Sequence, residues 1–356
     1  MESAGEQGPW GQDRARIEDR RIAVAPMMDW TDRHCRYFLR GFSPHTLLYT
    51  EMITAAAVLR GDRKRLLAFD PEEHPVALQL GGSEPDELAE AARIGEEVGY
   101  DEINLNCGCP SERVASGAFG ACLMREPERV AECVAEMRAR VSVPVTVKMR
   151  IGVIENSGGS AKTDVARFDE RDFEHLHKFI SAVRDAGCAV AIVHARKAVL
   201  GGWSPKDNRD IPPLRYDVVR SLREEFPDLP FVVNGGFRDV TSVLGALEWC
   251  DGVMLGREAY HRPLILAELE SALHGSEPVT REAMLERMTR YAEREVARGE
   301  RLSSITRHML GLFNGEPGAR TYRRILSEGA RAPEAAPALI LQAGQRASTQ
   351  QRVASA

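Results

Sequence analysis

Eight short runs rich in Val, Ile and Leu recur along the chain, and between them the apolar spacing switches to a helical period. The runs are RIAVAPM (21–27), TLLYTEM (46–52), PVALQLG (75–81), EINLNCG (102–108), VTVKMRI (145–151), AVAIVHARK (189–197), FVVNGG (231–236) and GVMLGR (252–257). Most are nearly continuous apolar stretches, the pattern of strands buried on both faces of a parallel sheet. The segments between them include EPDELAEAARIGEEVG and EPERVAECVAEMRARV, where Glu-Pro openings and Ser83 suit helix N-termini. Eight strand–helix repeats over about 240 residues predict an α/β chain folded as a (β/α)8 TIM barrel. A doubly wound open sheet is the alternative, but the early G-x-G-x-x-G turn that would favour it is absent.

Beyond the eighth run the pattern is purely helical, from about Arg281 to Gly344, after the turn-rich link HGSEPVTRE. The expected organisation is a flexible tail over 1–20, a barrel over 21–275, a small all-helical domain over 276–344 and a disordered Ser-, Gln- and Ala-rich tail over 345–356. IENSGGSAKTD (154–164), after the fifth run, is expected to be a long mobile loop.

Charge separates the two parts. The whole chain carries −6, yet Arg281 to Arg331 holds eleven Arg, seven Glu and no Lys, a local +4. Over Arg281 to Arg301 the Glu–Arg spacing suits a solvated helix face. The cluster Arg320, Arg323, Arg324, with Glu316 before it, is the better candidate for an RNA-facing surface. No apolar run is long enough to span a membrane, and the first twenty residues lack the apolar core of a signal peptide, so a cytoplasmic protein is expected. Seven scattered cysteines fit a reducing compartment.

In a barrel of this kind chemistry sits at the C-terminal ends of the strands. The runs place Pro26, Met27 and Met28 there, then Gln79, then Asn104, Asn106 and Cys109, then Lys148 and Arg150, then His194 and Arg196, then Asn234, Gly235 and Gly236, and finally Gly256 and Arg257. Glycines after the last two runs suit a phosphate site, where bare backbone can approach an anion and Arg257 can add charge. Gln79, Lys148 and His194 offer donors to a flat cofactor with a phosphate tail, and flavin mononucleotide is the natural candidate. A lysine in a barrel strand also suits a Schiff-base aldolase, but that leaves the thiol loop and the arginine cluster without a role. Metal hydrolysis fits worse: there is no H-E-x-x-H, and the two cysteines of NLNCGCPSERV (104–114) lack zinc spacing.

The chain resembles the tRNA-dihydrouridine synthases, and within them the class acting on positions 20 and 20a of the D loop. The resemblance rests on APMMDWTDRHCRYF (25–38), LLYTEM (47–52), HPVALQLGGSEP (74–85), GYDEINLNCGCPSERV (99–114), GACLM (120–124), VTVKMRIG (145–152) and HARKA (194–198). It continues through SPKDNRDIPPL (204–214), DGVMLGREAY (251–260) and ITRHMLGLFNGEPGARTYRR (305–324). It implies an FMN-binding barrel with a helical tRNA-binding domain, which reduces the C5=C6 bond of uridine and uses NADPH to recharge the flavin. It further implies that Pro26, Met27, Met28, Gln79, Lys148, His194, Asn234, Gly235, Gly236, Gly256 and Arg257 contact FMN. Cys109 is then the catalytic thiol, Asn106 a uridine contact, and Lys206, Arg209, Arg320 and Arg323 contacts to tRNA. A monomer without metal or membrane attachment is expected.

The chemistry asks for a hydride from FMN N5 at C6 of the base and a proton at C5. A thiol with an ordinary pKa near ~8.5 is largely protonated at neutral pH and can supply that proton. Cys109 is therefore the expected acid, Cys107 a packing residue, and Lys148 or Arg196 a stabiliser of the oxyanion. Two departures from the family pattern stand out: the segment 154–170 is longer than expected, and position 107 is Cys rather than a small apolar residue such as Val. A small-molecule flavin reductase of the dihydroorotate type leaves the arginine-rich helical segment unexplained. A tRNA-binding folding factor leaves the flavin set and Cys109 unexplained.

Overall fold

The computed structural model describes residues 21–111, 119–156 and 161–354. All eight runs form strands: β1 Ile22–Val24, β2 Leu47–Tyr49, β3 Val76–Gly81, β4 Glu102–Cys107, β5 Val145–Arg150, β6 Ala191–His194, β7 Phe231–Asn234 and β8 Gly252–Leu255. Their order, β2-β1-β8-β7-β6-β5-β4-β3, is parallel throughout and closes through a β2–β3 pairing. This is the closed barrel expected from the repeat count. A two-residue strand, Ile53–Thr54, adds beside β3.

By its internal contacts the chain divides into two units. The first holds residues up to Pro26, Leu47–Ala68 and Pro75–Leu255; the second holds Met27–Thr46, Phe69–His74 and everything from Gly256. The division falls after β8, not at 275/276, and the second unit recruits two segments from the N-terminal third of the sequence.

In the first unit the barrel strands alternate with helices. Helices Pro85–Val98 and Pro127–Arg140 do begin with Pro at their first position. Ser83 is not a cap, however: the N-cap is Glu84, which makes no side-chain capping bond, and the Ser83 carbonyl instead accepts from Arg129 Nε at 2.8 Å. The stretch expected to be a mobile loop after β5 is partly ordered. Val153–Glu155 pairs in parallel with Ala198–Leu200, and a helix covers Ala161–Ala166. Buried Val165 and Val199 pack with Ile154 and Trp203 into a small apolar cluster of their own, enough to hold those segments in place. Residues 157–160 of that stretch lie outside the described residues.

The second unit is helical. It contains α1 Arg33–Arg40, α2 Leu264–His274, α3 Arg281–Ala297, α4 Ala319–Gly329 and α5 Leu339–Ala354. Helix α5 runs through the stretch expected to be disordered. Its Ile340, Ala343 and Ala347 are fully buried, on one helical face. Gly344 lies so close to α3 that a Cβ there would stand 2.2 Å from Leu285. Within the stretch expected to be disordered, Ala347 is buried on this face. Among the described residues no helix is long and apolar enough to cross a membrane.

Candidate active site

Strands β4 and β5 alternate strictly. Ile103, Leu105 and Cys107, with Val145, Val147 and Met149, are fully buried apolar residues. The residues between them, Glu102, Asn104 and Asn106 and then Thr146 and Lys148, hydrogen-bond within the barrel. With period two, one face of each strand builds the outer core and the other lines the interior. The runs that look almost continuously apolar therefore hide a polar lining.

That lining makes one connected string. The backbone N–H groups of Gly108 and Cys109 both donate to Asn106 Oδ1 at 3.0 Å. Asn106 Nδ2 donates to Gln79 Oε1 at 2.8 Å, and Gln79 Nε2 donates to Asn104 Oδ1 at 2.7 Å. Asn104 Nδ2 donates to Thr146 Oγ1 at 2.8 Å, and Thr146 donates to Glu102 Oε1 at 2.7 Å. The Tyr49 hydroxyl donates to the same carboxylate oxygen. The Cys109 thiol is half-buried and lies 3.6 Å from Ser111 Oγ. Its carbonyl accepts from Ala121 N–H at 2.9 Å, which ties down the far side of the loop.

Beside this string stands a group of cations. Lys148 Nζ donates to Asn234 Oδ1 at 3.2 Å. Removal from water, reinforced by the charge of Arg150, pushes its pKa down to about 7. Arg150 is held by carbonyl oxygens, of Gly108 at 3.2 Å, Asn208 at 2.9 Å and Lys197 at 3.3 Å. Burial lowers its pKa to about 10, and the nearby Cys109 thiol acts in the opposite sense on both it and Lys148. His194 is pushed well below its usual pKa by burial and then by Arg150, Lys148, Arg196 and Arg209. The imidazole is therefore neutral at physiological pH, surrounded by positive charge. A pocket of this polarity is suited to an anion.

At the end of β7, Asn234 Nδ2 donates to the Met254 carbonyl at 2.7 Å. Gly235 and Gly236 follow with φ of +117° and +82°. A Cβ at Gly235 would stand 2.8 Å from the His194 ring, and one at Gly236 would stand 2.4 Å from Leu214. Only glycine fits both the backbone angle and the space. The Tyr216 hydroxyl donates to the Gly235 carbonyl and fixes this turn from behind.

The first unit thus brings together Gln79, Asn106, Cys109, Lys148, His194, Asn234, Gly235 and Gly236. Arg209 is half-buried and acts electrostatically on both His194 and Arg150, so it belongs with this inner group more than with an outer rim. Lys206 is exposed on the short turn before it. Pro26 follows β1 in the same unit. Met27, Met28, Gly256 and Arg257 fall in the second unit. There Met27 N–H donates to Thr31 Oγ1 at 2.9 Å, Met28 is 60% exposed, and Arg257 opens the short helix Arg257–His261. Arg320, Arg323 and Arg324 are all exposed on α4.

Cys107 is fully buried, and its thiol pKa is raised by that burial, as befits a packing residue. Glu102, Thr146 and Tyr49 were not singled out from the sequence; the only signal was a polar residue interrupting an apolar run at period two. In the second unit His45, Glu270 and His274 bring potential metal-ligand atoms within 4.8 Å of one another. The two rings are stacked, 3.9 Å apart at 20°, so their in-plane lone pairs run side by side and do not converge on one ion. The Glu270 carboxylate is already engaged by Ser43 at 2.6 Å and His45 at 2.8 Å.

A family model described as "Dihydrouridine synthase (Dus)" matches residues 23–349. A Xanthomonas campestris protein named tRNA-dihydrouridine(20/20a) synthase is 52% identical over 332 residues, 93% of this chain and 95% of the relative. Proteins of the same name from Pseudomonas aeruginosa and Synechocystis are 53% and 51% identical, covering 86% and 90% of this chain and 89% and 92% of their own lengths.

Proposed function

Because the chain belongs to the dihydrouridine synthase family, we propose that it reduces uridine at positions 20 and 20a of tRNA, with FMN as bound cofactor and NADPH as reductant. The observation that carries this reading is a half-buried thiol, Cys109, tethered by Asn106 beside a set of cations and a neutral imidazole.

The residues present fit a flavin. Gln79 has a second N–H to offer, Lys148 supplies a positive donor, and the cations around His194 favour an anionic phosphate or ring. Gln79, Lys148, His194 and Asn234 to Gly236 would hold it, with Pro26 as a further contact. When bound, FMN supplies the hydride for C6 of the base.

The protein's own groups do the rest. Cys109 delivers a proton from Sγ to C5, and Pro110 after it restricts the loop that carries it. Lys148 shares its proton readily, with a pKa close to neutrality, and stabilises charge that gathers in the pocket. The target base must leave the tRNA core to reach this depth, so the grip on the rest of the molecule falls to cations outside. Lys206, Arg320 and Arg323 suit that role because they are exposed.

The test begins with the purified protein. A yellow flavin spectrum, and dihydrouridine at 20 and 20a that disappears from tRNA when the gene is removed, are expected. Cys109→Ala should lower single-turnover reduction by about 10²–10⁴-fold while leaving flavin and tRNA binding intact. Near-normal reduction by that variant would remove the acid role.

A further inference from the structure

We propose that Glu102, Thr146 and Asn104 are positioning residues that lock the amides of Gln79 and Asn106 into one orientation, so that Asn106 has only an N–H donor left for a bound ligand and Gln79 keeps an N–H donor for one. The purpose assigned to the string rests on the flavin and uracil reading above; its geometry does not.

The direction of the string follows from its two ends. Backbone N–H groups can only donate, and both Gly108 and Cys109 donate to Asn106 Oδ1, which uses its two lone pairs. The nitrogen of Asn106 must then face Gln79, whose oxygen receives it and whose nitrogen faces Asn104. Asn104 in turn presents its nitrogen to Thr146, whose single proton goes to Glu102. At this far end one carboxylate oxygen receives both Thr146 and Tyr49, so it carries no proton of its own. Backbone donors at one end and a receiving oxygen at the other agree on the same direction. Turning any single amide over would set oxygen against oxygen on one side and N–H against N–H on the other, in the buried interior where such mismatches are costly.

What the string leaves over is one N–H each on Asn106, Gln79 and Asn104, and of these Asn106 and Gln79 stand closest along the string to the Cys109 loop. Asn106 cannot accept from the N3–H of a uracil, because its oxygen is fully committed to the Cys109 loop. Its contact to the base is therefore a donated bond to a ring carbonyl, the correct polarity for an oxygen that gains negative charge as the ring is reduced. The remaining N–H of Gln79 likewise matches an acceptor on the flavin. Asn106 thus holds the acid's loop and the base with the two ends of one amide.

Thr146→Val removes one hydroxyl at nearly constant shape and cuts the string two links from Asn106. In the purified protein without RNA, amide hydrogen exchange in the peptide spanning 106–111 should rise about tenfold, and FMN should bind about tenfold more weakly. Thr146→Ser should restore both. In single turnovers the valine variant should lose reduction rate by a larger factor than tRNA affinity. If Thr146→Val does not fold, Asn104→Ser cuts the same string one link higher and is read the same way. Exchange and FMN binding at wild-type values in the folded variant overturn the proposal, as does a Thr146→Ser variant as damaged as the valine. Because exchange is measured without substrate, a wild-type protein that reduces no uridine refutes the reaction and leaves the string standing.

Discussion

In the second unit several arginines end on carboxylates, although buried Arg40 is held by the carbonyls of Glu73, Ser43 and Thr46. Arg36 meets the fully buried Glu73 at 2.6 Å, Arg33 and Arg298 each meet buried Glu295 at 2.8 Å, Arg287 meets Glu72 at 2.8 Å, and Arg294 meets Asp70. Arg287 and Arg294 also lie over the ring of Tyr37. Inside the barrel of the first unit the arrangement is different. The partners seen for Arg150 are carbonyl oxygens, and Arg196 donates to the carbonyl of Pro212. A carbonyl satisfies a guanidinium's hydrogen bonds without cancelling its charge. A carboxylate does both. An arginine of the first kind keeps its field, which inside the barrel can act on a ligand, and the carboxylate-bound arginines named here hold segments of the second unit together.

The comparison can be broken at its strongest point first. Glu73→Ala strands Arg36 in a buried position and should destabilise the protein by about 3–5 kcal/mol in denaturant melts. Arg150→Met should cost far less global stability but weaken FMN binding by about 1.5–3 kcal/mol, read by flavin fluorescence titration. Equal losses of stability in the two variants would erase the distinction.

The pH dependence sharpens it. With a folded pKa of about 7 against ~10.4 when unfolded, Lys148 loses its proton in the native flavin-free protein as pH rises above 7, while the unfolded chain still holds it. Between those values the unfolded state binds more protons, so the flavin-free protein gains stability as pH rises, by at most about 1.4 kcal/mol per pH unit from this group. Below pH 7 both states are protonated and the contribution is flat. The difference between wild type and Lys148→Met across pH 7–9 isolates it, and parallel curves for the two would exclude it. At the smallest scale, Arg320→Glu with Arg323→Glu should weaken tRNA binding by about 1 kcal/mol or more and lower its salt slope by about 2. An unchanged slope would mean these exposed arginines face solvent only.

The barrel was legible because each strand announces itself locally. EINLNCG became Glu102–Cys107 and VTVKMRI became Val145–Arg150, within a residue at each end. The candidate site was half legible. Strand-end residues could be named, but the partner of Asn104 depends on register between strands about forty positions apart, which no single run records. The second unit was the least legible. The Glu–Arg spacing of α3 suggested pairs along one helix face, yet Arg287 and Arg294 reach back to Glu72 and Asp70, more than 200 positions away. The expected pairing along the helix is seen in Glu295 with Arg298, while the bonds of Arg287 to Glu72 and of Arg294 to Asp70 are tertiary. For the part of α5 beyond residue 344, composition suggested disorder, whereas Ala and Gln are sound helix formers once Ala347 has a surface to bury against.

The one-way string of amides has a consequence for how this chain can change over generations or in a mutant library. Its members behave like a row of magnets that must all point the same way. Exchanging Asn104 or Asn106 for the matching acid removes a donor that the next link needs, so a single step is expected to fail where a compensated double step succeeds. Positions 79, 104, 106 and 146 are therefore expected to travel together through sequence space. Efforts to retune what the barrel binds would do better to vary them as one unit.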